Sequence, residues 1–337
     1  MADIRAATLD ASLQAVITSR RPLHYALGED TNEDRPAHIR AASSMAWIHG
    51  RIALVQDDAN FVALVDAEGD AHVIALPRGE GGVRLFDDMR GNKKFKFDLE
   101  ACVAVDTEDG PLLLAFGSGS KKRRRQVVAV DRFRDELPRV RVSDATTLYE
   151  RLEKEAAFAG SDMNIEGAIV TSRVLRFFGR GNGKERGGLR PLNATCDVPC
   201  EELLRYLDDT TGKRPPVPRD VIEYSLGAMS GIPLGFTDAT VCGADVLYSA
   251  TAEASKDATI DGPVAGSALG VIEQGGRVRY TPIIDHDGAT LREKVEGVLI
   301  SLTTPRRVYV VIDADDTTRP SELCEVELRG DWSDGLG

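Results

Sequence analysis

The chain has 337 residues, 42% of them hydrophobic, and a formal charge of −12. The apolar share is enough for a large core, and no apolar run approaches the ~18 residues of a membrane-spanning helix. The acidic balance disfavours non-specific nucleic-acid binding, which needs positive charge to neutralise phosphates.

In chain order, residues 12–17 alternate as a strand without an obvious partner. Residues 44–48, 52–55, 61–65 and 72–76 are four short β-branched or apolar runs separated by turn-rich acidic segments, which predicts a four-stranded meander. The layout recurs with strands at 102–105, 112–116 and 126–130, then at 168–171 and 174–178, at 240–242 and 246–250, and at 298–301 and 308–312. Two stretches have helical spacing, 146–154 and 200–207, and fall between meanders as insertions. No linker divides the chain, so residues 1–337 are expected to form one domain. The five cysteines at 102, 196, 200, 242 and 324 have no zinc-ligand pattern and are expected to be buried thiols. The start, Met-Ala-Asp-Ile-Arg, has neither a basic nor an apolar leader segment. A cytoplasmic location is therefore expected.

One phrase heads the first strand of successive meanders: an apolar residue, an acid, then Gly or Ala. It stands as Leu99-Glu100-Ala101, Ile165-Glu166-Gly167, Thr237-Asp238-Ala239 and Val295-Glu296-Gly297, with Ser43-Ser44 as a degenerate first copy. The steps between copies are 57, 66, 72 and 58 residues. A strand-rich repeat of this length predicts an all-β propeller of four-stranded antiparallel blades. Five copies favour five blades, with a sixth possible in the 167–236 interval. Only 41 residues follow Glu296. That is room for about three strands, so the N-terminal strand is expected to complete the last blade and close the ring.

In such a ring the innermost strands surround an axis, and Glu100, Glu166, Asp238 and Glu296 would meet at one mouth. Four carboxylates cannot all stay ionised together unaided. Two resolutions are open. The acids hold a hard cation, with Ca²⁺ suited to an all-oxygen shell that Ser43 could join, or they latch neighbouring blades through backbone amides. Polar loops after the second strands deliver Lys121, Arg180, Asn182, Lys184, Glu253 and Asp313 beside the acids, a mixture suited to a small anionic molecule. Glu166, Arg180 and His286 are the candidate catalytic groups, His286 because it lies between two aspartates. The run 121–125 is a basic hairpin loop; as a nucleic-acid site it has no support elsewhere in the chain. Asp257 to Gly262 forms a polar loop that lacks the carboxylate spacing of an EF-hand.

Asn164-Ile165-Glu166-Gly167-Ala168, residues 175–182, Leu234-Gly235-Phe236-Thr237-Asp238-Ala239, Asp261-Gly262-Pro263, Lys294-Val295-Glu296-Gly297 and Pro320-Ser321-Glu322-Leu323 resemble, over about residues 40–330, an uncharacterised family of bacterial β-propeller proteins. That family is distantly similar to phytase-like esterase and calcium-dependent lactonase propellers. The resemblance implies a central calcium bound at Glu166 and Glu296, with Glu100 and Asp238 as variants. A calcium-dependent hydrolase of an ester, lactone or phosphoester is the expected function. A non-catalytic binding propeller is the alternative.

Overall fold

A computed structural model describes residues 4–66, 69–134, 137–254 and 262–336. Two N-terminal strands come first, β1 (Ile4–Leu9) and β2 (Gln14–Pro22). The first antiparallel meander is β3 (Ala42–Ile48), β4 (Arg51–Gln56), β5 (Phe61–Val65) and β6 (Ala71–Ala75). The second is β7 (Leu99–Thr107), β8 (Gly110–Gly117), β9 (Gln126–Asp131) and β10 (Arg139–Asp144). Helices α1 (Thr146–Glu153) and α2 (Ala156–Ala159) follow, then β11 (Ile165–Thr171), β12 (Val174–Gly179) and β13 (Asn193–Pro199). Helix α3 (Cys200–Asp208) precedes β14 (Arg219–Ser225), which completes the third meander. The fourth runs from the two-residue β15 (Ala228–Met229) through β16 (Ile232–Cys242), β17 (Asp245–Glu253), β18 (Val264–Ile272) and β19 (Val278–Ile284). The last strands are β20 (Lys294–Ile300), β21 (Arg307–Asp313) and β22 (Glu322–Arg329). The predicted strands and both predicted helical insertions are present, and the 167–236 interval is filled by β12, β13, α3, β14 and β15.

The N-terminal segment stitches the later meanders together. β2 pairs antiparallel with β22 along its length, from Gln14–Arg329 to Pro22–Glu322. β1 runs parallel to β14 at Ile4–Ala6 and to β19 at Ala7–Leu9. Arg20 on β2 clamps this join: its guanidinium reaches Glu322 and Glu293, each at 2.6 Å, and Asp285 at 3.1 Å.

Apolar packing explains why the sheets stack. Strands such as β4 and β5 are buried on both faces, so they read as continuous apolar runs rather than alternating ones. One apolar cluster lies between the first and second meanders and one between the second and third. Others lie between the third and fourth, the fourth and last, and the last and first. Phe116 meets Phe177 edge to face at 5.0 Å across one interface, and Trp47 meets Tyr309 at 6.0 Å across another. Such aromatic pairs contribute about 0.5–1.5 kcal/mol beyond their buried area. The result is a propeller-like, mostly β architecture of several sheets. All five cysteines are buried free thiols. Among the described residues no helix is long and apolar enough to cross a membrane.

Candidate functional site

The repeated phrase corresponds to a repeated β-bulge. The register between first and second strands shifts at Ala42/Ser44, Leu99/Ala101, Ile165/Gly167, Phe236/Asp238 and Val295/Gly297. The residues standing at the bulge are therefore Ser43, Glu100, Glu166, Thr237 and Glu296. A bulge leaves one residue unpaired and re-aims its side chain. The next residue is small because the inner strands approach one another closely. A Cβ on Gly167 would sit 3.3 Å from Ala239 N, and one on Gly297 would sit 3.4 Å from the Met45 methyl.

This register corrects the placement of Asp238. It occupies the small-residue position of the phrase, and Thr237 is the equivalent of the acids. A one-residue slip along a strand sends the side chain to the opposite side. Asp238 is 1% exposed and does not line the axial cavity. Its carboxylate accepts the Val298 amide at 3.1 Å and the Ser44 hydroxyl at 3.3 Å, and Ser44 in turn accepts the Cys102 amide at 3.0 Å. Asp238 thus ties the fourth meander to the last and the first, with burial pushing its carboxyl well above the usual range.

Glu100, Glu166, Glu296 and Ser43 do converge, on a cavity of about 60 Å³. Its lining holds seven carboxyl groups against five cationic side chains. Glu166 accepts from Asn164 and, at 3.4 Å, from Arg180, whose other amino group donates to Glu253 at 2.6 Å. Lys294 meets Glu296 at 2.7 Å. The Ser43 hydroxyl donates to the Leu99 carbonyl, joining the first and second meanders.

Asp57, Asp98 and Glu100 each present an oxygen within 4.8 Å of the other two. Lys96 touches both Asp57 and Asp98, the latter at 2.7 Å, and Arg124 meets Asp98 at 2.9 Å. Burial pushes the Asp57 carboxyl up to about 8, against the pull of the Lys96 ammonium. Asp98 goes the other way, to about 2, because its two cations outweigh its burial. Burial and the charges of Asp57, Asp98 and Glu166 drive Glu100 well above its usual range. No hydrogen bond reaches the Glu100 carboxylate among the described residues. Burial raises Glu166 to about 7 despite Arg180. Burial, with nearby Asp315, raises Asp313 to about 6.

Arg180, Asn182 and Asp313 also line the cavity. Lys121 lies on an adjoining basic groove that shares Lys93 and Arg124 with it. Lys184 is exposed in the loop beyond Asn182, its amide directed at Asp162. Glu253 acts through Arg180. His286 is not brought to the cavity: it is 73% exposed and pairs with Asp285, the carboxylate that also holds Arg20. Residues 255–261, including most of the polar Asp257–Gly262 loop, lie outside the described residues. The polar and charged cavity residues absent from the sequence-based set are Asp57, Lys93, Lys96, Asp98, Arg124, Asn164, Lys294 and Asp315. A signal for three of them was present. Side chains repeat every second residue on a strand face, and Asp98, Asn164 and Lys294 each stand two positions before a bulge acid.

The family of unknown function DUF6929 matches residues 38–328, and the chain belongs to it. No curated protein matches the sequence. Among solved structures, an α-L-arabinofuranosidase from Podospora anserina is 10% identical, with 96% of this chain and 98% of that one covered and a TM-score of 0.44. A streptogramin B lyase is 7% identical, covering 92% and 98%, with a TM-score of 0.40. Virginiamycin B lyase from Staphylococcus aureus is 10% identical, covering 96% and 90%, with a TM-score of 0.36. All three are distant similarities of shape.

Proposed function

We propose that this DUF6929 protein is a five-bladed propeller whose ring is closed by the N-terminal strand. We further propose that its axial pocket binds a divalent cation and hydrolyses a small anionic ester, lactone or phosphoester. The closed ring is supported by the cyclic order of the five apolar clusters and by the pairing of β2 with β22.

The cation proposal rests chiefly on Asp57, Asp98 and Glu100, whose oxygens lie within 4.8 Å of one another. With every carboxyl ionised the lining has two more acids than cations, the balance that one divalent ion would neutralise. An all-carboxylate donor set fits calcium better than zinc or iron. Asp57, Asp98 and Glu100 would hold the ion, with Glu166 and Glu296 close by. When bound, such an ion polarises a carbonyl or phosphoryl oxygen and acidifies water. Arg180 supplies a buried guanidinium to orient an anionic group. Glu166, raised to about 7, is poised to hold or release a proton near neutral pH.

A second reading is favoured by the contacts of Lys96, Arg180 and Lys294, which pair the acids internally. On that reading the acids latch the blades and the pocket only binds ligand. Thermal unfolding of chelator-stripped protein, titrated with calcium, magnesium, manganese and zinc, separates the two. A metal bound only by the folded state raises the melting temperature by mass action. An upward shift with calcium that disappears in Glu100→Gln supports the metal site, and turnover of ester, lactone and phosphoester panels then tests the hydrolase. No shift with any ion rejects the metal and leaves the latch.

A further inference from the structure

The insertion of α3 between β13 and β14 leaves a second cavity, remote from the axial one. Helix α3 sends Leu203 and Tyr206 into the apolar cluster between the second and third meanders. Its next residues, Leu204 and Leu207, are only partly buried and face the sheet across a gap. The floor of that gap is Leu112, Leu114, Val127 and Ala129 of β8 and β9. The cleft has a volume of about 450 Å³ and lies toward the β7–β8 turn, at Thr107 and Asp109, the opposite end of β7 from Glu100. Small-molecule sites are typically concave and ~300–1,000 Å³ in volume, and this cleft meets both conditions, its apolar floor ringed by a larger polar rim.

The rim is charged, and its charges are not equally engaged. Arg139 donates to both oxygens of Asp131, at 2.9 and 3.1 Å from Nε, so this pair satisfies itself. Arg141, two residues on and therefore on the same face of β10, stands 3.8 Å from Asp131 and 3.7 Å from Asp208, beyond hydrogen-bond reach. Arg132 makes no hydrogen bond or ion pair among the described residues. Asp208, the acid opposite Arg141, is 61% exposed and turned further to solvent than Arg141, at 43%. Among the described residues the charged lining groups that make no side-chain hydrogen bond are Arg132, Arg141, Asp109 and Asp208, and of these the guanidinium groups bind carboxylates and sulfonates through paired N–H donors.

We infer that this cleft between the second meander and α3 is a binding site for a small amphiphilic anion, an apolar ring or chain bearing one carboxylate or sulfonate. The apolar body lies against Leu204 and Leu207 and the exposed edges of Leu112 and Ala129, and the acid group faces Arg141 and Arg132.

The test is titration of the full-length protein with 8-anilinonaphthalene-1-sulfonate, followed by fluorescence and calorimetry. One saturable site per chain is expected, competed by decanoate and not by dodecyltrimethylammonium. Leu204→Trp, which fills the cleft, should weaken binding at least tenfold. Arg141→Glu, at an exposed position that spares the fold, should weaken it about fivefold or more. Glu100→Gln in the axial cavity should leave it unchanged, so failure of the axial proposal does not touch this one. The inference is overturned by the absence of a saturable site, by unchanged binding in Arg141→Glu with a wild-type melting curve, or by preference for the cationic amphiphile.

Discussion

Arg20→Ala tests how the N-terminal strand is held to the last meander. The guanidinium donates through Nε to Glu322 at 2.7 Å and through its amino groups to Glu293 at 2.6 Å and Asp285 at 3.1 Å. These partners come from β22 and from the chain between β19 and β20, so one side chain on β2 binds two other segments. Charge-assisted hydrogen bonds contribute ~1.5–3 kcal/mol each when buried. Here the side chains are 18–35% exposed, and solvent screening reduces each to about 1 kcal/mol. Removing the arginine also leaves three acids facing one another. The expected loss is about 3 kcal/mol, against the ~5–15 kcal/mol of a typical domain. Urea unfolding at pH 7 measures it, with a double-mutant cycle to Glu322→Gln isolating the pairwise share. Asp285 is held below the usual carboxylate range, its burial outweighed by bonds from His286 and the charge of Arg20. Its contribution is therefore present above the unfolded pKa and fades as the pH falls through the lower, folded value. The difference between wild type and Arg20→Ala should shrink toward pH 3. A loss below 0.5 kcal/mol at pH 7, or one independent of pH, would refute the clamp.

Glu166→Gln should reverse a pH trend. Raising this carboxyl from 4.5 to about 7 makes folding favour its protonated form. Its stabilisation is complete below pH 4.5 and lost as pH rises through 7, by about 3 kcal/mol at ~1.4 kcal/mol per tenfold change. In metal-free protein the variant should gain that much relative to wild type between pH 4 and 8; a flat difference in urea midpoints contradicts the assigned environment. Asp238→Ala leaves the Val298 amide and Ser44 hydroxyl without their acceptor, each at ~1–3 kcal/mol. It should lower the melting temperature strongly whether or not metal is added, and equal melting curves would remove Asp238 from the latch. Gly117→Ala places a Cβ 2.2 Å from the Arg124 carbonyl oxygen and 2.8 Å from that of Phe97. A cost of at least ~1–3 kcal/mol is expected in denaturant unfolding, and a neutral result would mean that the 118–125 loop moves freely.

The local order of this protein is written in its sequence. Runs such as Ile52 to Val55 and Phe61 to Val65 are β-branched or aromatic and bounded by turn residues, so strand identity follows from short-range chemistry. The spacing of the acid phrase reveals the repeat, because each meander opens with a strand bulged at the same place. The spare strand near residue 14 and the shortage of chain after Glu296 likewise anticipate the pairing of β2 with β22.

What only the tertiary structure decides is direction and convergence. Thr237 and Asp238 are adjacent in a plausible motif, and only the bulge register shows that Thr237 takes the place of the acids while Asp238 turns away as a tie. Asp57 and Lys96 lie in segments with no periodicity, yet they meet Asp98 and Glu100 because strand ends from different meanders arrive at one point. His286 sits in an inviting acidic pair, but its aspartate is committed to Arg20 at the outer join. Sequence patterns record which residues share a strand or a face. Which faces meet, and which charges have already found partners, depends on contacts hundreds of residues apart.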